Sequence, residues 1–209
     1  MNFRPPGGAA AFWDARYDHP NHVYGYKPND FLAQNEILLR RGSRVLCIGD
    51  GEGRNGVWLA ERGHRVTTVD ISAVAVGKAR ALAAERGVQV EALVGDLETW
   101  VHTEAAQGPW DAVVSIFCHL PADIRGGISQ ALVGLMAPSG KLLLEAYTPA
   151  QLQLGTGGPS EESVLLNRER VQQDWAGLVL DIHLVERRIF EGMAHQGLSS
   201  VVQVLGQKP

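Results

Sequence analysis

Residues 44–48 (Arg-Val-Leu-Cys-Ile) form a short apolar run that ends in Gly49-Asp50-Gly51-Glu52-Gly53, and residues 55–62 then read as a helix closed by Gly63. A buried strand, a glycine turn and a helix in that order open a parallel α/β sheet more readily than any other architecture. Glycines at alternate positions let the backbone turn sharply after the strand and let a ligand come close. A side chain there would collide with it.

The pattern repeats. Residues 65–69 (Arg-Val-Thr-Thr-Val) give a second β-branched run, followed by an alanine-rich helix from Ser72 to Arg86 with Ser72 as N-cap and Gly87 as C-cap. Residues 88–94 are a third strand candidate, and residues 110–117 a fourth whose unbroken apolar run implies burial on both faces. Ile124, Ile128, Leu132 and Leu135 recur at helical spacing, and Pro138-Ser139-Gly140 makes a turn into a fifth strand, Lys141 to Tyr147. Parallel strands need crossovers, and right-handed helical crossovers cover both faces of the sheet.

After Tyr147 the alternation stops. Residues 148–160 read as a loop and 161–174 as a polar helix; strands at 178–190 and 198–205 are joined by Glu191 to Gly197, too short for a helical crossover, so they pair antiparallel. The expected fold is a doubly wound, Rossmann-like, seven-stranded α/β sheet. It is mostly parallel, with an antiparallel C-terminal strand pair and helices on both faces. Residues 1–209 form one domain, with a core at 44–209 and an N-terminal extension at 1–43. That extension carries Phe12, Trp13, Tyr17, Tyr24 and Tyr26, ends in a helix from Asn29 to Arg40, and is expected to pack over the open end of the sheet.

Composition narrows the partners. A chain of 209 residues buries roughly 70% of its unfolded surface and needs no staple. The formal charge is −4 and the longest basic runs are the pairs Arg40-Arg41 and Arg187-Arg188, which leaves no track for a phosphate backbone, so no nucleic acid is expected. Cys47 and Cys118 lie in or beside apolar runs, and no His or Cys spacing suits zinc, so no metal is motivated. Neither a signal peptide nor a membrane span is visible; a cytoplasmic protein, monomeric or weakly dimeric, is the expectation.

Two carboxylates complete a constellation. Asp70 closes the second strand, where it can accept hydrogen bonds from both ribose hydroxyls of an adenosine. Asp96, after the third strand, can reach an adenine amino group. In a doubly wound sheet these positions line one crevice at the carboxyl ends of the strands. A literal G-x-G-x-x-G at Gly51, Gly53 and Gly56 keeps a nicotinamide dehydrogenase as an alternative, but counting from Gly49 puts Arg54 where the third glycine belongs.

Val45 to Gly53, Val69-Asp70, Gly95-Asp96-Leu97 and Ala137 to Leu142 together resemble the ordered motifs of class I S-adenosylmethionine-dependent methyltransferases. More narrowly, Trp13 to Tyr17, Tyr24 to Leu32, Glu52 to Asn55 and Ser115 to Pro121 resemble a bacterial subgroup related to the tellurite-resistance methyltransferases. The resemblance implies S-adenosylmethionine as cofactor, held by Gly49, Asp50, Gly51, Gly53, Arg54, Asn55, Asp70, Ile71, Asp96, Leu97, Ile116, Phe117 and Cys118. Cys47 departs from it, standing where the class has an acidic residue; Asp50 can compensate by holding the amino group of the methionine moiety. Arg54 can meet that moiety's carboxylate.

On the substrate side, His119 and His195 are candidates for a general base, with a structural, backbone-bonded histidine as the competing reading of His119. Trp13, Tyr17 and Tyr24 are candidates for a lid whose aromatic faces favour a sulfonium. Strand four lacks the Asn/Asp-Pro-Pro-Tyr/Phe ending of enzymes that methylate amino groups of bases or glutamines. A small-molecule acceptor follows: a thiol, a chalcogen oxyanion or another soft nucleophile. A protein that binds S-adenosylmethionine without catalysis remains a second reading.

Overall fold

A computed structural model describes residues 8–209. Residues 1–7 of the expected N-terminal extension lie outside the described residues. In chain order the elements are α1 (Ala9–Tyr17), α2 (Asp30–Asn35), β1 (Arg44–Ile48), α3 (Arg54–Glu61), β2 (Arg65–Asp70), α4 (Ala73–Glu85), β3 (Val90–Val94), α5 (Leu97–Trp100), β4 (Trp110–Ile116), α6 (Ala122–Leu135), β5 (Met136–Tyr147), α7 (Arg168–Asp174), β6 (Val179–Glu191) and β7 (His195–Gln207). The seven strands form one sheet in the order β3-β2-β1-β4-β5-β7-β6. The first five are parallel, and β7 inserts antiparallel between β5 and β6.

Strand alternation divides the core between the two faces of the sheet. Leu46 and Ile48 of β1 point to one side, where they join Val113, Leu142, Leu144, Trp100, Ile128 and Leu132. Val45 and Cys47 point to the other, with Val114, Leu143, Leu59 and the α2 residues Phe31 and Leu32. The strand order reverses between β1 and β4, so their carboxyl ends part around a crevice.

Four boundaries differ from the sequence reading. The helix expected to run from Asn29 to Arg40 stops at Asn35, whose side chain takes up the Phe31 carbonyl (2.8 Å), and only a 3-10 turn at Glu36–Leu38 follows. The helix expected at 161–174 begins at Arg168 because Asn167 accepts from the Arg170 amide and caps it there. The turn expected at Pro138-Ser139-Gly140 lies inside β5, which begins at Met136: Ser139 takes positive φ (61°), its amide bonds to the Lys208 carbonyl, and the register shifts opposite Trp110–Ala112. The last two strands run to 13 residues each and meet across Gly192–Ala194 alone, since Gly192 (φ 61°) completes the turn that the sequence spreads over seven residues.

Among the described residues, no helix is long and apolar enough to cross a membrane, and no group of three or more His, Cys, Asp or Glu side chains could hold a metal ion.

Candidate functional site

A cavity of about 710 Å³ opens at the carboxyl ends of β1, β2 and β4, walled also by α1, Tyr24, residues 157–161 and the β6–β7 turn. It brings together Gly49, Asp50, Arg54, Asn55, Asp70, Ile71, Asp96, Leu97, Ile116, Phe117, Cys118, both candidate histidines, and Trp13, Tyr17 and Tyr24. Gly51 and Gly53 do not line it. A Cβ on Gly51 would stand 2.5 Å from the Tyr17 hydroxyl, one on Gly53 2.7 Å from Ala79, and one on Gly49 2.6 Å from Cys118 Sγ. The glycines are therefore required by the chain's own close approaches as well as by the turn, which the sequence reading had assigned to the ligand.

Asp70 ends β2 with both carboxylate oxygens anchored: Oδ2 accepts from the Gly51 amide and Oδ1 from the Ser72 amide, each at 2.9 Å. Every carboxylate oxygen has a second lone pair, so this anchoring aims the group without exhausting it. Burial raises the Asp70 pKa, and the two amides pull it back. Ser72 caps α4 as expected, accepting from the Ala75 amide, and itself donates to Asp14 of α1 (2.6 Å), which also takes the Val74 amide. Asp50 is more deeply enclosed. Its Oδ2 accepts from the Gly56 amide at 3.0 Å, and burial pushes its carboxyl up to about 7 despite that bond. Asp96 is exposed and caps α5 through the Glu98 amide (3.0 Å).

Arg54 is not a helix-surface residue. It is 6% exposed, and its guanidinium donates to Glu191 Oε2 (2.6 Å) and to the Lys27 carbonyl (3.3 Å). The carboxylate it meets is thus one from β6. Asn55 accepts from the Asn29 amide (2.9 Å), and the Asn29 side chain donates to Glu145 (2.6 Å) and Glu191 (2.9 Å). Arg187 closes the cluster with two bonds to Glu145, at 2.9 and 2.6 Å. Asn29 falls within the Tyr24–Leu32 motif and Arg187 in a basic pair, but no local pattern in the sequence brings them together with Glu145 and Glu191.

Glu52 was also missed. It lies inside the glycine turn, 3% exposed, and its Oε2 accepts from the amides of Val23 (2.7 Å) and Tyr24 (3.3 Å), while Lys78 holds Oε1 (2.9 Å). The Val23 carbonyl in turn accepts from the Met193 amide (2.8 Å), so the N-terminal segment is pinned between the glycine turn and the β6–β7 turn. A buried-strand turn with a carboxylate among its glycines is the one signal that pointed there. On this strap Tyr17 stacks on Trp13 (centroids 5.7 Å apart) and meets Tyr24 edge-on (6.0 Å).

The two histidines diverge. In His119, Nδ1 donates to the Phe117 carbonyl (3.0 Å) and Nε2 accepts from the Tyr147 amide (3.0 Å), which fixes the neutral tautomer. Desolvation, then the neighbouring His195, bring its pKa down to about 3. Both nitrogens are engaged by backbone, the arrangement that the structural reading of His119 expects, and the bonds steady Phe117 at its positive φ of 53°. His195 has no such commitments. Its Nδ1 has no hydrogen-bond partner, and Glu191 Oε2 lies 3.7 Å away. The rings of Phe117 and Tyr24 stand 4.7 Å from it and Tyr147 5.3 Å.

Residues 45–140 match a family described as a methyltransferase domain. A ubiquinone biosynthesis O-methyltransferase from Xanthomonas axonopodis pv. citri is 35% identical over 155 residues, covering 72% of this chain and 62% of that protein. The chain spans about three fifths of the length of the curated relatives it matches. Among solved structures, the N-methyltransferase NodS from Bradyrhizobium japonicum, in complex with S-adenosyl-L-homocysteine, superposes with a TM-score of 0.70 at 15% identity, covering 96% of this chain and 98% of that one. TehB from Haemophilus influenzae gives 0.66 at 16% identity, over 96% and 67%.

Proposed function

We propose that this chain, whose residues 45–140 match a methyltransferase-domain family and whose fold superposes on NodS, binds S-adenosylmethionine and moves the methyl group to a small-molecule acceptor. The observation that carries this reading is Asp70, a buried carboxylate locked by the Gly51 and Ser72 amides on the lip of an enclosed cavity. A cavity of about 710 Å³ is in the range of ligand sites. Its chemistry suits a sulfonium, with carboxylates at Asp50 and Asp70 and aromatic faces at Trp13, Tyr17 and Tyr24.

When bound, S-adenosylmethionine supplies an electrophilic methyl group. The chain's own part is to hold and align. Asp70 and Asp96 take the adenosine end; Ile71 and Leu97 flank it; Gly49, Ile116, Phe117 and Cys118 form the floor between cofactor and acceptor; Asp50 takes the amino group. Arg54 and Asn55 brace this wall through Glu191 and Asn29. Enclosure by the strap of Trp13, Tyr17 and Tyr24 excludes water, and alignment alone can remove on the order of 7–11 kcal/mol of barrier in ideal geometry. The named relatives include an O- and an N-methyltransferase, and a thiol or another soft nucleophile also suits the reaction, so the acceptor atom is decided by the local chemistry of the cavity.

Calorimetric titration tests the reading. S-adenosylmethionine and S-adenosylhomocysteine are expected to bind saturably and NADH not at all, with Asp70→Ala weakening the first two at least about tenfold. No saturable binding of either adenosyl ligand to the folded chain sinks the proposal.

A further inference from the structure

Resting on that reading, the geometry points to the acceptor's class: a flat, uncharged molecule carrying a weakly acidic hydroxyl or thiol, held against Tyr24 and Phe117 and deprotonated by His195, with Glu191 as the residue that positions His195.

The argument begins with charge. Beyond the carboxylates of the cofactor end, no buried cation of the cavity wall is left uncompensated among the described residues. Arg54 is matched by Glu191 at 2.6 Å, and His119 is fixed in its neutral form between two backbone groups. Arg16 of α1 is an exposed cation beside the Tyr24 phenol, and Glu161 an exposed anion on the same cavity wall. An oxyanion entering the buried part would shed its hydration with only the exposed, solvated Arg16 to offset the loss, which is costly. Tyr24 and Phe117, half-buried on the cavity wall, instead pack beside His195 and offer ring surfaces to a planar apolar body, with the fully buried Tyr147 behind them.

A neutral acceptor must lose a proton as it attacks, and His195 is the side chain placed to take it. Both nitrogens of its neighbour His119 are engaged, whereas His195 Nδ1 has only Glu191 within ion-pair range. Burial works against ionisation of Glu191, yet the nearby His195 and the bonded Arg54 guanidinium hold its pKa down to about 2, so it is charged whenever His195 gains a proton. The charged and titratable groups facing His195 are Glu191 from β6, Arg54 from α3, Arg16 from α1, His119 beyond β4, and the phenols of Tyr24 and Tyr147. In the step itself, the acceptor's O–H or S–H proton passes to His195 Nε2 while its lone pair forms the bond to the methyl carbon. The carbon–sulfur bond breaks onto sulfur, and the proton leaves His195 for solvent once the product has gone.

The test has a binding arm and a kinetic arm, both on the full chain. Calorimetry without methyl donor uses 2-naphthol, benzyl mercaptan and selenite as probes; the two aromatic compounds, which keep their proton near neutrality, are expected to bind and selenite not. With S-adenosylmethionine, the aromatic probes are expected to yield S-adenosylhomocysteine and selenite not. His195→Gln is expected to lower kcat about 10²–10⁴-fold near neutrality. Its rate then rises about tenfold per pH unit until the acceptor ionises by itself, with cofactor affinity changed less than about twofold. A histidine serving only structure would show no such rescue. Turnover of selenite in preference to the aromatics, or turnover of neither by a chain that binds S-adenosylmethionine, overturns the inference and leaves the cofactor reading standing. Equal rates for His195→Gln and wild type at every pH remove the base. Failure to bind the cofactor at all strikes the earlier reading instead.

Discussion

In the glycine turn Asp50 accepts from the Gly56 amide, with Arg54 and the Asn55 side chain also favouring its carboxylate, yet burial lifts its carboxyl to about 7. The folded pKa thus stands above the unfolded value of about 3.9. Between the two the native state binds more protons than the unfolded chain, so this group's contribution to stability is full below about pH 4 and is lost as pH rises through about 7. A cationic ligand beside Asp50 favours the carboxylate and drives the proton off. Calorimetry of S-adenosylmethionine binding near pH 6, in buffers of different ionisation enthalpy, is expected to show net proton release that Asp50→Asn abolishes. Release undiminished in the variant would remove Asp50 from the ligand's amino group. His119 has the opposite sign: its pKa falls to about 3 in the folded protein, so its contribution is present above the unfolded value of about 6.5 and is lost as pH falls below it. His119→Gln is expected to cost about 1–3 kcal/mol in urea unfolding at neutral pH, through the Phe117 carbonyl and Tyr147 amide left unpaired. A loss as large at pH 5 as at pH 7 would contradict the assignment.

At the level of elements, the strap over the cavity hangs on Glu52, which joins the β1–α3 turn to the amides of Val23 and Tyr24 and to Lys78 of α4. Glu52→Ala frees two buried amides and a lysine at once, so a destabilisation of about 1–3 kcal/mol is expected. Stopped-flow measurement is expected to show S-adenosylhomocysteine leaving faster while its association rate changes little; unchanged dissociation would mean that residues 22–25 do not close the site. The elements themselves were largely legible. β1 was readable to the residue because an apolar run stops against glycines, and Ser72 marked the start of α4 because a hydroxyl there takes the Ala75 amide. The start of β5 was not, since Pro138-Ser139-Gly140 has the composition of a turn and becomes a bulged strand only through the Lys208 carbonyl and Trp110. Nor was the Asn29–Glu145–Glu191 junction, whose members stand 116 and 162 positions apart and meet only because β7 inserts between β5 and β6. Sequence spacing carries local geometry, and the acceptor side of this cavity is made of distant residues.

Across the whole molecule, the cavity draws its walls from α1 at one end of the chain, from the β1, β2 and β4 termini in the middle, and from the β6–β7 turn near the other end. The same sheet that buries Leu46, Val113, Leu142 and Val204 in one core holds these walls in register. A ligand in the cavity therefore bears on global unfolding and not on one loop. Binding to the native state alone adds about 2.7 kcal/mol at a free concentration of 100 Kd. For a chain of 209 residues, each kcal/mol moves the midpoint by about 2–4 °C, so a rise of about 5–11 °C is expected in a calorimetric melt. S-adenosylmethionine and S-adenosylhomocysteine are both expected to produce it as a single sharpened transition, NADH to leave the melt unmoved, and Asp70→Ala to lose most of the shift. A transition that splits when the ligand is added, with only part of the heat moving upward, would instead show that the strap and the sheet unfold as separate units and that closing the cavity does not couple the ends of the chain.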